Sequence, residues 1–79
     1  MTAETQTAAA AYAARRREVE KLIEWLGEEV ERHAERAGEE PTHWGHAGDL
    51  GQVKQNLIET LAFLGDCDQQ EVRRALAEL

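Results

Sequence analysis

A chain of 79 residues makes one domain with a thin core, since chains near this size bury only about 60% of the surface their unfolded forms expose. The net charge of -7 disfavours general binding to nucleic acid or to an anionic membrane, both of which need Lys and Arg to match phosphate. No stretch approaches the roughly 18 apolar residues of a membrane span, and Cys67, the single cysteine, cannot form a disulfide within the chain.

The opening MTAETQTAAAAYAARRR lacks the charged start and long apolar run of a secretory signal, so a cytoplasmic protein is expected. Residues 1–7 are polar and are expected to fray. From Ala8, Ala-rich sequence of high helix propensity leads into Tyr12, Val19, Leu22, Ile23, Leu26, Val30, Ala34 and Ala37, spaced three or four apart. Glutamates 18, 20, 24, 28, 31 and 35 mostly fill the opposite face, so an amphipathic helix is expected over about 8–37. Pairs such as Arg16 with Glu20 and Glu28 with Arg32 add only ~0.3 kcal/mol each, so packing must supply most of its stability. Gly38 suits the left-handed position after a helix, and Pro41 discourages continuation. Trp25 lies off the centre of the apolar stripe, where it widens a packed face or anchors an interface.

Residues 38–48 read as a hinge with the only proline, His43, Trp44, His46 and several glycines. His43, His46 and Asp49 bring two imidazoles and a carboxylate within seven residues, chemistry that zinc accepts. His-x-x-His without a converging tetrahedral set makes these low-ranking candidates, and no metal or other cofactor is assigned. Trp44 is expected to fold over the open end of a helical hairpin and seal its core, in preference to serving as a ligand platform.

Asp49 precedes the next apolar run and Gln52 follows three residues on, an aspartate version of the capping box, so a second helix is expected over about 50–64. Leu50, Val53, Leu57, Leu61 and Leu64 form its stripe, widened by Ile58, Ala62 and Phe63, with Gly65 as terminator. Asp68 and Glu71 open a third helix, about 69–78, burying Val72, Ala75, Leu76 and Leu79. The fold class is therefore all-α: a helical hairpin with a long first helix and a second arm broken near Gly65. Two arms of about 45 Å, each with one apolar face, bury most by pairing as a dimeric four-helix bundle. The competing architecture is a monomeric three-helix bundle, with the third helix folded back.

The arm lengths and the run PTHWGHAGDLGQVKQNLIETLAFLG resemble small prokaryotic Rop-like helical hairpins, in which a Trp-Gly-x-x-Gly-Asp-Leu element opens the second helix. The resemblance covers mainly Trp44 to Leu64. It implies a homodimeric helical bundle and assigns no chemistry. The RNA contact of the founding Rop protein needs a basic helical face, and here only Arg15, Arg16 and Arg17 cluster, ahead of a strongly acidic stretch.

Other chemistry finds little support. Gly45-x-x-Gly48-x-x-Gly51 lacks the Gly-Lys-Ser/Thr ending of a phosphate loop, and Asp66 to Glu71 lacks the glycine and spacing of an EF-hand. Asp66 and Asp68 beside Cys67 argue against a reactive thiolate. The chain has no serine, and no local spacing joins a nucleophile to a base, so an enzyme is not expected. The leading expectation is a non-catalytic homodimeric interaction or scaffold module, with a protein partner in view. Its core would comprise Val19, Ile23, Leu26, Val30, Leu50, Val53, Leu57, Leu61 and Leu64, and its hinge and interface Trp25, Leu26, Trp44, Asp49 and Leu57. Metal or small-ligand binding at His43, Trp44 and His46, and RNA binding, are the alternatives.

Overall fold

A computed structural model describes residues 7–79, and of the residues 1–7 expected to fray all but Thr7 lie outside them. The described residues form three helices and no strand: α1 (Ala8–Glu39), α2 (Trp44–Gly65) and α3 (Gln69–Ala77). They divide into two units between Glu39 and Glu40, residues 7–39 and Glu40–Leu79. Three helices, with α3 packed on α2, match the element count of the three-helix alternative.

In the first unit, Thr7 caps α1: its hydroxyl accepts from the Ala10 N–H at 3.0 Å and its carbonyl from the Ala11 N–H at 3.0 Å. The expected pairs form along the surface, Arg16 with Glu20 at 3.2 Å and Arg32 with Glu28 at 3.7 Å, joined by Lys21 with Glu24 at 3.3 Å and Arg32 with Glu29. Gly38 does not terminate the helix. No described glycine has positive φ, and α1 runs on through Glu39. Termination falls to Pro41, whose ring and missing N–H prevent another helical turn.

The second unit starts with a turn in which the His43 N–H donates to the Glu40 carbonyl at 3.0 Å, placing Pro41 where its fixed φ favours a turn. Helix α2 then begins at Trp44, six residues before the expected start at Leu50. The reason is His43, an extended residue whose Nδ1 accepts from the Gly45 N–H at 3.2 Å and so takes the capping role expected of Asp49. Asp49 is inside the helix, the expected hinge shrinks to residues 40–43, and residues 44–48 are helical despite Gly45 and Gly48.

The other end of α2 is also displaced by one residue from expectation. Gly65 stays helical and Asp66 adopts the left-handed conformation, φ 55° and ψ 45°, with its N–H on the Ala62 carbonyl. Asp tolerates this region better than most residues with a side chain. The Cys67 N–H reaches the same carbonyl at 3.0 Å, which closes the helix end. Asp68 caps α3 as expected, its carboxylate accepting from the Glu71 N–H at 2.9 Å. This tight connection turns α3 back along α2 and buries Ile58 and Ala62.

Candidate interaction surface

Helix α2 carries apolar residues around more than half of its circumference, and α3 covers only part of them. Ile58 (2% exposed) and Ala62 (8%) are buried, whereas Leu50, Leu57, Leu61 and Leu76 remain 39–55% exposed. Between the two helices lies an open groove of about 550 Å³, lined by Leu50, Val53, Leu57, Ile58, Leu61, Val72, Ala75, Leu76 and Leu79, with Lys54 as its one charged residue. Lys54 also borders a smaller hollow with Arg73, Leu76 and Ala77, so the rim there is cationic.

The groove walls are tied by an amide that the sequence did not single out. Gln55, half-buried on α2, donates to Glu59 at 2.9 Å and to Gln69 of α3 at 3.0 Å, and its carbonyl accepts from Arg73. Arg73 thus links α3 to α2 through the Gln55 carbonyl. The available signal was spacing: Gln69 and Arg73 lie four apart on α3, hence on one face.

Helix α1 buries none of its residues. Val19, Leu22, Ile23 and Val30 of its stripe are 37–63% exposed, and Leu26 is half-buried. Trp25 stands beside the stripe, 53% exposed, in a hollow with Glu18, Lys21 and Leu22. Of the expected core residues, only Leu26 and Val53 are even half-buried, and Leu64 is 75% exposed. Phe63, expected to widen the α2 stripe, is 86% exposed.

At the start of the second unit, Trp44 seals nothing: it is 85% exposed at the first position of α2, over a shallow hollow with Pro41, Thr42, His43 and Ala47. Starting the helix at Trp44 projects the indole from its first turn, which replaces the expected fold-over. The His43 and His46 rings lie 5.2 Å apart between centroids, tilted by 50°. Each has one nitrogen engaged locally, His43 Nδ1 by the Gly45 N–H and His46 Nε2 by Glu40 Oε1 at 3.0 Å. Capping and pairing within the turn account for those contacts.

The fold and surface thus define an all-helical chain with an open apolar groove and an open apolar stripe; no helix among the described residues is long and apolar enough to cross a membrane. Comparison with known protein families, characterised proteins and solved structures finds no significant match.

Proposed function

We propose that this chain is a non-catalytic helical interaction module that works as a homodimer, a scaffold whose helix faces recognise one another and then present an outer surface to a protein partner. One observation carries this reading: the α1 stripe and the α2/α3 groove each expose large apolar side chains, and among the described residues the buried apolar ones are Ile58 and Ala62. Exposed contiguous apolar surface of this kind marks association sites. The paired architecture is a dimeric helical bundle, in keeping with the Rop-like resemblance. A cytoplasmic setting suits the single free thiol of Cys67. RNA recognition is the weaker reading, since net charge is -7 and Arg16 is already paired with Glu20.

Sedimentation equilibrium over a wide concentration range, with and without zinc, tests the proposal. A dimer under both conditions is expected, and Leu26→Asp or Leu57→Asp should weaken it about 100-fold, since an unpaired buried carboxylate costs about 3 kcal/mol or more. A chain that stays monomeric throughout refutes the proposal. Dimerisation only with zinc transfers the function to His43 and His46.

A further inference from the structure

We propose that α2 has two alternative starts, His43 and Asp49, and that protonation of the His43 ring selects between them. The device is a pH-sensitive switch at the head of the second unit, and it is independent of the homodimer reading.

The cap in use is one that acid removes. His43 Nδ1 accepts from the Gly45 N–H at 3.2 Å, and an imidazole nitrogen accepts only while it carries no proton. The imidazolium has two N–H donors and no acceptor, so the added proton breaks this contact and sets a cation against the positive end of the helix. Two titratable groups stand by. The His46 ring lies 5.2 Å away, where a charge of its own opposes one on His43, and Glu40 Oε1 is engaged by His46 Nε2 at 3.0 Å. Neither contact involves the Gly45 N–H.

The stretch that this cap holds is weak on its own. Residues 44–48 include Gly45 and Gly48, each about 5-fold poorer than Ala as a helix residue, and Trp44 is 85% exposed at the first position. A Cβ at position 45 would stand 2.6 Å from His43 Cε1, so the glycine that admits the ring also weakens the helix that the ring caps.

The second start is written in the sequence. Asp49, now an exposed residue inside α2, is followed three residues on by Gln52, the spacing of a capping box. A carboxylate remains an anion and an acceptor through the range in which imidazole takes its proton, and a helix N-terminus favours that charge. The first start therefore holds at higher pH and is lost as the pH falls through the imidazole range, while the second persists. The exchange leaves every α2 residue of the groove, from Leu50 onward, in the helix. It lengthens the non-helical connection between α1 and α2 from residues 40–43 to residues 40–48 and releases Trp44 from the helix.

NMR secondary chemical shifts of the full chain between about pH 8 and about pH 5.5, with a metal chelator present, test the switch. The ratio of helical to non-helical population at residues 44–48 should fall about 5- to 10-fold at the lower pH, while residues 53–64 stay unchanged. His43→Asn keeps a capping acceptor that does not titrate, so it should hold 44–48 helical at both pH values. His43→Ala should lose that helicity at both, and His46→Gln should respond to pH as the wild type does. In Asp49→Ala the acid fraying should run on through residues 50–52.

Wild-type shifts at 44–48 that are equal at the two pH values overturn the proposal. An acid loss that persists in His43→Asn, or that His46→Gln abolishes, assigns the proton to another group and overturns it too. Loss of helicity throughout residues 44–64 together, or fraying in Asp49→Ala that still stops at residue 49, removes the second start.

Discussion

Ile58→Ala is the sharpest probe of what holds the second unit together. Ile58 is 2% exposed and is the one large side chain among the described residues to be fully buried. Truncating a buried Ile to Ala costs about 2–5 kcal/mol, the sum of lost transfer energy and the cavity left behind. Because the open groove lies directly beside Ile58, neighbours and water can relax into the space, which places the expected loss near the low end, at about 2–3 kcal/mol. The unit Glu40–Leu79 would hold only about 2–6 kcal/mol in total at ~0.05–0.15 kcal/mol per residue. The substitution should therefore remove about a third or more of its stability and loosen α3 from α2. Urea unfolding followed by far-UV circular dichroism measures this, at one fixed protein concentration because association adds to apparent stability. Phe63→Ala is the control: at 86% exposure it should change stability by less than about 0.5 kcal/mol. Ile58→Ala within about 0.5 kcal/mol of wild type, or Phe63→Ala as damaging as Ile58→Ala, would refute the assignment of the core.

Asp66→Gly should stabilise the second unit by about 0.5–1 kcal/mol, because φ 55° strains a residue with a Cβ, while Asp66→Val should lower the urea midpoint. The α2 glycines separate by their surroundings. Gly48→Ala adds a Cβ into open space and should gain about 1 kcal/mol of helix propensity, raising the melting temperature. At Gly45 a Cβ would stand 2.6 Å from His43 Cε1, so Gly45→Ala displaces the ring, and loss of the cap, about 1 kcal/mol, offsets the propensity gain. Equal melting gains at the two positions would show that His43 does not cap α2.

Periodicity made the helices legible and capping chemistry placed them only in part. The α1 stripe and the Asp68–Glu71 cap could be read directly, because apolar spacing of three to four and an acidic cap three residues before an acid are local signals. The start of α2 was not legible in the same way. Asp49 is the better capping residue by type, yet His43 holds the position because Pro41 sets the turn that directs its ring back onto the Gly45 N–H. Likewise, Gly65 is the stronger terminator by composition, but the helix extends one residue further and the left-handed position falls on Asp66. The groove itself depends on which side of α2 the third helix covers. That choice is made by contacts between elements, Gln55 with Gln69 and Arg73 among them, which local spacing does not encode.

The energetics of α1 connect these surfaces to function. Its 32 residues gain helicity from alanines, from Arg36 in the last turn and from surface pairs at ~0.2–0.5 kcal/mol each, without burying a residue. Such a helix is long enough to persist but keeps its apolar stripe as unspent driving force. A solvated stripe contributes nothing to α1 until another surface covers it, at which point each Leu, Ile or Val moved from half-exposed to buried gains about 1 kcal/mol. Val19, Leu22, Ile23 and Val30 together would then supply about 4 kcal/mol, more than the paired charges of α1 provide. On the proposed reading, association that covers this stripe should therefore increase the order of α1, which amide hydrogen exchange across a range of protein concentrations would measure.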